Sequence, residues 1–563
     1  MSTEGKRALI AAVRKVVFAW LILIVVWLIL LALRGAIPAR TIEQLNAGMQ
    51  TKPVSLDSST WDWTRSLWRD NTVSSIIGEN LGNTLRFTAL SGLLSLIMAG
   101  VLLFIGALIS SITQSPGWLV KLRGILRLVL VSRGASIPIF VISTFLAVFA
   151  IAQRTAPDNS AAYVLWAAFV CSLLPTWLLV QYGHGIIANR RENTPAAKLT
   201  QEIALKLIIR LLKLVGLMLV VAIVAEQLMI QPGIGRLLIS EVGGRDFPVI
   251  FGIAWDLVVI VVAVKLIADL LEIGYNYSMR EKTVEIPTAE QPVVKTGIPK
   301  GWLIFSSVVV VLIILVALFA PLLAPFGQNE IHLMDRLSSP SAKYLLGTDE
   351  LGRDILSRLL YGIRIDVLIG LGCAVVLSLV AACWGTLAAY CRKMNNRLGD
   401  TLEDAVMLPK DIVCSFPWLI LLLLLMSIFT DYSVFLVALI TGIVMLPRTA
   451  GLIQEAYHFA PGKKDWLPSV LWSIPVVFLF TTAGVIIYFS MSSYLGFGMP
   501  PGVPELGSLL SMEGMQFMQT APWQALWPGL CLSTIIFFFV MTGDALLERL
   551  GFRSKAFWSK TME

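Results

Sequence analysis

Ionisable side chains inside apolar runs are the first candidates for chemistry in this chain. Glu226 stands in one such run, and Asp256, Lys265 and Asp269 share another. A charge in apolar surroundings is costly, so each is a functional candidate by default. Lys265 and Asp269 lie at i and i+4 of a helical pattern, where pairing with each other is the plainer expectation. A second group, Asp349, Glu350, Arg353 and Asp354, sits in LGTDELGRDILSRLLYGIR, residues 346–364, a charged segment wedged between long apolar runs. Its acids and arginine can meet an arriving protein or lock one another in salt bridges. Met491, Met499, Met512, Met515 and Met518 form a thioether stripe suited to Cu(I), or to ordinary packing. His184, His332 and His458 are scattered without ligand spacing, and Cys171, Cys373, Cys383, Cys414 and Cys531 lie in or beside apolar runs and Cys391 at a cytoplasmic helix end, all read as packing thiols. No metal site is expected. No GxxxxGK[ST] loop, HExxH or GxSxG is present, so no catalytic residue is assigned, no cofactor is expected on the chain, and P-loop hydrolysis of ATP is excluded.

The elements that must carry these groups are membrane helices. The chain is 57% hydrophobic and 14% charged with mean hydropathy +0.79, far from the roughly 25% charged of a soluble domain. About twelve segments are long enough to cross a ~30 Å hydrocarbon core. They fall near 16–33, 84–110, 133–152, 162–183, 212–230, 248–274, 302–325, 365–390, 412–430, 433–450, 468–490 and 525–547. Lys and Arg collect in alternate connections, which places both termini in the cytoplasm. The net charge of +8 reflects that bias and anionic lipid headgroups. Without a basic, aromatic-interleaved soluble module, nucleic-acid binding is not expected.

The chain repeats with a period of about 280 residues, each unit carrying six crossings and hence the same orientation. The division expected is 1–275 for the first half, with an outer segment at about 35–79, then a cytoplasmic linker at 276–300 and a second half at 301–563. Trp61, Trp63 and Trp68 in the outer segment suit the headgroup interface, or a ligand cage. The first half carries QPGIGRLLISEVGGRDFPVI at 231–250 and the second answers with YLGFGMPPGVPELGSLLSMEG at 494–514. Pro232, Gly233 and Gly235, and in the second half Gly496 and Gly498, end a span and let the chain turn back. Irregular backbone at that depth must be covered by protein or line a cavity. An outer gate and a plain interhelical turn are the two readings. The apolar Ile355, Leu356, Leu359 and Leu360 recur at helical spacing, which predicts an amphipathic helix at the outer interface.

These motifs resemble the permease subunits of dipeptide, oligopeptide and nickel ATP-binding cassette (ABC) importers. The first half resembles one subunit through SIPIFVIS at 136–143 and PGIGRLL at 232–238; the second resembles its partner through FAPLLAPF at 319–326, LGTDELGRDILSRLLYGIR and YLGFGMPP at 494–501. The resemblance implies an all-α polytopic permease of two parallel six-helix, type I importer repeats, both subunits fused in one chain of a bacterial inner membrane. It further implies two separate ATPase subunits that hold ATP and Mg, a periplasmic or lipid-anchored solute-binding protein, and inward movement of a peptide-like or metal-chelate solute by alternating access. Glu226 matches an acid of the family pattern, which suggests that it faces the path and meets a cationic or N-terminal amine group; the matching place in the second half holds Phe489. Asp349, Glu350, Arg353 and Asp354 become candidates for docking the binding protein. Coupling to the ATPases falls to RRENTPAAKLTQEIALK at 190–206, with Lys198 and Glu202, and to LIQEAYHFAPGKKDWLPS at 452–469, with Gly462, Lys463, Lys464 and Asp465. The first lacks the family's Gly and the second its small-residue pair. A scaffold or sensor with degenerate coupling loops, and a secondary transporter, are the alternatives.

Overall fold

A computed structural model describes residues 3–35, 63–67, 71–111, 161–188, 196–228, 231–280, 300–394, 397–429, 433–458, 466–498, 502–510 and 520–550. The described chain is helical, and its helices in order are α1 (Thr3–Gly35), α2 (Val73–Ser111), α3 (Ala161–Ala188), α4 (Ala196–Lys213), α5 (Val215–Leu228), α6 (Ile234–Gly244), α7 (Phe247–Arg280), α8 (Lys300–Leu323), α9 (Ile355–Lys393), α10 (Arg397–Ser415), α11 (Trp418–Ile428), α12 (Val434–His458), α13 (Trp466–Tyr494), α14 (Leu506–Leu509) and α15 (Trp523–Arg549).

Among the described residues, eight helices are long and apolar enough to cross a membrane, and ten spans result if each of two bent pairs counts as one. The pairs are α4 with α5, bent by 59°, and α10 with α11, bent by 86°. Of the expected spans, 133–152 lies outside the described residues, and 162–183 falls on the 28-residue helix α3, whose apolar stretch among the described residues is Ala168–Gly183. The helix α7 runs on to Arg280, through the first residues of the expected linker at 276–300; residues 281–299 lie outside the described part.

Lipid contact explains which faces stay apolar and bare. On α1, Ala19, Ile22, Val26 and Leu30 are buried while Trp20, Ile24, Trp27 and Leu31 are exposed. On α8, Val310, Ala317 and Ala320 face inward and Ile304, Val308, Val311 and Leu315 outward. Since acyl chains are as apolar as leucine, burial alone does not drive these helices together; close approach through small residues does. Ala254, Ala268, Ala317, Ala320, Ala381, Ala388, Ala450 and Ala483 are all nearly inaccessible, in keeping with that rule.

Packing repeats along the chain. The helix α1 lies on α7 as α8 lies on α15, α2 on α3 as α9 on α12, and α2 on α5 as α9 on α13. The seam between the two sets is formed by α5, α6 and α7 against α11, and by α1 and α7 against α10. The helix α11, WLILLLLLMSI, is buried over nearly its whole length in that seam.

One expectation needs correction here. The segment after Gly352 is no separate interfacial helix: Ile355 opens α9, which runs unbroken to Lys393 and carries the span itself. Leu359 and, one turn on, Ile363 pack into the second-half core, and Ile355 is also buried, so this face is not presented to a membrane surface.

Candidate functional site

The chain returns on itself after α5, and again after α13, to seat a short helix against the one it has just left. In the first unit that helix is α6. Glu226, near the end of α5, is buried; it accepts a hydrogen bond from Thr84 Oγ1 of α2 at 2.6 Å and one from Gly235 N–H at 2.7 Å. Thr84 Oγ1 in turn accepts Ile234 N–H at 2.8 Å. A helix start leaves backbone donors without intrahelical partners, and a negative group there is also favoured by the helix dipole. Here Glu226 and Thr84 supply the acceptors from neighbouring helices, since Gly233 at the N-cap has no side chain to do so.

In the second unit α14 is held by the same logic with different residues. Glu505 is its N-cap, accepting Gly507 N–H and Ser508 N–H at 2.9 Å each, while Ser508 closes a capping box back onto Glu505. Asp366 of α9 accepts Leu506 N–H at 3.2 Å and meets Glu505 carboxyl to carboxyl. Thr84 and Asp366 therefore play matching parts, each receiving the first helical N–H of its short helix.

Glycine is needed at the matching positions Gly235 and Gly507 for close approach. A Cβ on Gly235 would stand 2.5 Å from Ile223 Cα, and one on Gly507 would stand 2.0 Å from Ser490 O. Gly233 is extended, at φ 178, and its side is taken up by the Glu226 carboxyl. The sequence match of Gly233 and Gly235 with Gly496 and Gly498 is thus corrected. Gly496 does hold a left-handed turn at φ +89 just beyond α13, and Gly498 lies against Ser493, but the partner of Gly235 is Gly507. The signal was present in IGRLL at 234–238 and LGSLL at 506–510. Thr84, Asp366 and Glu505 were missed because each lies at a different offset from the glycines. An acid does serve the second unit, carried at Glu505 and Asp366 rather than at the buried Phe489. Glu226, engaged with Thr84 and α6, is committed to holding the turn rather than presented to a solute amine. Pro232 precedes α6 in exposed backbone.

The charged segment at 346–354 closes on itself. Asp349 is buried and accepts Arg353 Nε at 2.7 Å, the backbone N–H groups of Leu351 and Arg353 at 2.9 Å each, and Arg358 Nη1. Glu350 joins through Arg353 Nη2 at 3.2 Å. Asp354, also buried, caps α9 by accepting Ser357 N–H at 2.8 Å and Ser357 Oγ at 2.7 Å. Of the two readings, mutual locking is what these distances describe. Upstream, Asp335 takes hydrogen bonds from Lys343 Nζ and Tyr344 Oη, both at 2.7 Å, which hold its carboxyl below the usual range. Trp523 Nε1 at the start of α15 donates to Thr348 O at 3.2 Å, tying the segment to the bundle. In the first unit, Ser66 and Leu67 N–H dock on Asp246 in the same manner. Trp63 packs edge-on against Phe251 with Arg34 over its ring, a packed position rather than a cage; Trp61 and Trp68 lie outside the described residues.

Two further expectations change. Asp269 pairs with Lys15 at 2.7 Å and Lys213 at 3.3 Å, not with Lys265. Lys265 Nζ instead donates to Cys414 O across the seam at 3.2 Å. Among the coupling candidates, Lys198 lies in α4, and Glu202 pairs with Lys206 at 2.6 Å. Gly462, Lys463, Lys464 and Asp465 lie outside the described residues, as do Met499, Met512, Met515, Met518 and the SIPIFVIS motif. Met491 packs against the main core.

Bent helix pairs, a buried seam between two similarly packed helix sets, and a short helix folded back onto the preceding one in each define an all-α polytopic membrane protein. A family model described as the N-terminal TM domain of oligopeptide transport permease C matches residues 302–340. The oligopeptide transport system permease protein OppC of Bacillus subtilis is 28% identical over 260 residues, 43% of this chain and 83% of that protein. The dipeptide transport system permease protein DppC of Escherichia coli K12 is 29% identical over 292 residues, 46% and 94% respectively. The di/tripeptide transport system permease protein DppC of Pseudomonas aeruginosa is 30% identical over 264 residues, 42% and 84%. The chain belongs to the oligopeptide and dipeptide permease family of ABC transporters. It is about twice the length of these relatives, consistent with two permease halves in one polypeptide, and is a multi-pass protein of the inner membrane.

Proposed function

We propose that this chain is the complete membrane pathway of an ATP-driven importer, both permease halves fused, carrying peptide-like solutes into the cytoplasm by alternating access. The observation that carries the reading is the paired seat of α6 and α14. Each short helix is pinned to the preceding span by a glycine contact and held by carboxylate or hydroxyl acceptors from neighbouring helices, as expected of two gate elements that move with their halves. Names of the relatives, which transport oligopeptides, dipeptides and glutathione, favour a peptide-like solute over a metal chelate. On this reading ATP and Mg are bound by two separate ATPase subunits that dock on the cytoplasmic segments at 190–206, which includes the start of α4, and at 452–469, between α12 and α13. A solute-binding protein docks on the opposite face, where Glu350 and Arg353 of the locked segment reach its surface. Both termini are cytoplasmic. No chemistry falls to the chain itself: Thr84, Glu226, Asp366 and Glu505 position gates.

Purification of the tagged chain from its native membrane in mild detergent, followed by mass spectrometry, tests the partnership. Two P-loop ATPase subunits in stoichiometric amount are expected. A monodisperse chain that brings no ATPase argues for a non-transporting scaffold.

A further inference from the structure

The span formed by α10 and α11 breaks between Ser415 and Trp418 with a bend of 86°. The eleven residues of α11 rise only about 16 Å, half of a ~30 Å core, so with Ile428 and the polar residues after it at one surface the break falls near the membrane midplane. Discontinuous helices at that depth are where transporters build solute sites, and the N-terminal end of a half-helix favours an anion. Pro417, the N-cap of α11, offers no side-chain acceptor to that end.

Two cations converge on the break, one from each half. Lys265 of α7 donates to Cys414 O at the end of α10. Arg448 of α12 donates through Nη1 to Tyr488 Oη at 2.7 Å and lies beside the Cys414 thiol. Tyr488 stacks on Trp418, the first residue of α11, with ring centroids 4.0 Å apart and planes within 6°. Lys265 and Arg448 are near enough to repel each other, and of the two it is Lys265 that Asp411 and Asp269 attract. Among the described residues no carboxylate pairs with Arg448; its polar partners are Tyr488 and Cys414. Both cations are only part-buried. Capping a carbonyl at the α10 terminus accounts for Lys265, but among the described residues no carboxylate compensates the charge of Arg448, which is expensive inside a membrane.

We infer that Lys265 and Arg448, with the N-terminal end of α11, form an anion station on the path between the halves, which receives the carboxylate of a passing solute such as the C-terminus of a short peptide. The station rests on the importer reading for its solute and on geometry for its charge. Arg448 supplies a planar, permanently charged fork for a carboxylate, and its bond to a neutral tyrosine is readily exchanged for one to an anion.

Cys414 is a built-in reporter. A chain keeping Cys414 alone, with Cys171, Cys373, Cys383, Cys391 and Cys531 replaced by Ala, is reconstituted with its ATPases. Its rate of modification by anionic 2-sulfonatoethyl methanethiosulfonate is compared with that by the cationic trimethylammonium reagent, each relative to 2-mercaptoethanol. The expected normalised ratio favours the anionic reagent by about tenfold or more; Arg448→Gln removes most of that preference and Arg448→Lys keeps it. A ratio equal to that of the free thiol overturns the station, as does a preference unchanged in Arg448→Gln. Failure of both reagents to react, with and without ATP, overturns it too, because no water-borne solute then reaches the seam. If Arg448→Gln does not insert, the ratio of the parent chain decides alone. Uptake of trialanine by the same complex separates the two claims: uptake without the preference sinks the station only, and the preference without uptake sinks the peptide reading while the anion site stands.

Discussion

Gly235→Ala probes the seat of α6 with a single methyl group. The added Cβ stands 2.5 Å from Ile223 Cα and 2.8 Å from Ile223 O, where ordinary contacts are about 3.5–4.0 Å. Both atoms are backbone of α5, so no side-chain rotation relieves the overlap, and α6 must retreat by about 1 Å. That retreat carries Gly235 N–H, now 2.7 Å from Glu226 Oε2, out of hydrogen-bonding range. Overpacking costs about 1–3 kcal/mol, and a lost bond to a carboxylate about 1.5–3 kcal/mol. At 1.4 kcal/mol per tenfold, the lower sum of roughly 2.5 kcal/mol makes α6 detach about fifty-fold more often. Hydrogen exchange of the α6 amides in nanodiscs, read by mass spectrometry, should show at least that loss of protection. Gly243→Ala is the control within the same helix: a Cβ there meets nothing within 4 Å, so it should stabilise by about 0.5–1 kcal/mol. Equal protection in the two variants would refute the close-approach reasoning.

Thr84→Val removes the acceptor of Ile234 N–H and a donor to Glu226; a cost of about 1–3 kcal/mol is expected, seen as faster exchange at Ile234 with α15 unaffected. Asp349→Asn strips the buried partner of Arg353 and Arg358; about 3 kcal/mol of local stability should go, and exchange across 346–354 should rise while the core of α9 holds. The carboxyl of Asp335, depressed by Lys343 and Tyr344, should order 335–348 fully above the ordinary carboxylate pKa of about 3.9 and lose that order as pH falls through its lower folded value. Exchange rates at Tyr344 and Thr348, corrected for intrinsic pH dependence, should show this transition in the parent chain and none in Asp335→Asn.

Where a property depended on hydropathy and length, the residues declared it. Runs such as Gly301–Leu323 and Trp523–Leu547 are apolar enough to be read without knowing any neighbour. The chain reversal after α5 and α13 was also visible, because proline and glycine beside a span favour a turn. Side-chain partners were harder. The spacing of Lys265 and Asp269 favoured a pair, yet α1 and α4 bring Lys15 and Lys213 to Asp269, and the bend of α10 offers a carbonyl to Lys265. Such rivals come from elements far away in sequence. The acids of the second seat escaped notice for a related reason. An N–H at a helix start can donate to any well-placed oxygen, so Thr84 and Asp366 can replace one another without leaving a shared residue type. The boundary at Ile355 was missed because its apolar periodicity fits both a surface helix and the first turns of a span; only the continuation through Val367 and Ala374 into the core decides.

Uptake into proteoliposomes is the most direct trial of the importer reading. The chain, its co-purified ATPases and the cognate binding protein are reconstituted, and accumulation of radiolabelled trialanine is followed with MgATP inside or outside. Accumulation that requires MgATP on the side of the ATPases and the binding protein on the other, and that falls at least tenfold in Gly235→Ala combined with Gly507→Ala, is the expected result. Uptake driven by a proton gradient without ATPase subunits, or no uptake from an intact and ATP-hydrolysing complex, would contradict it.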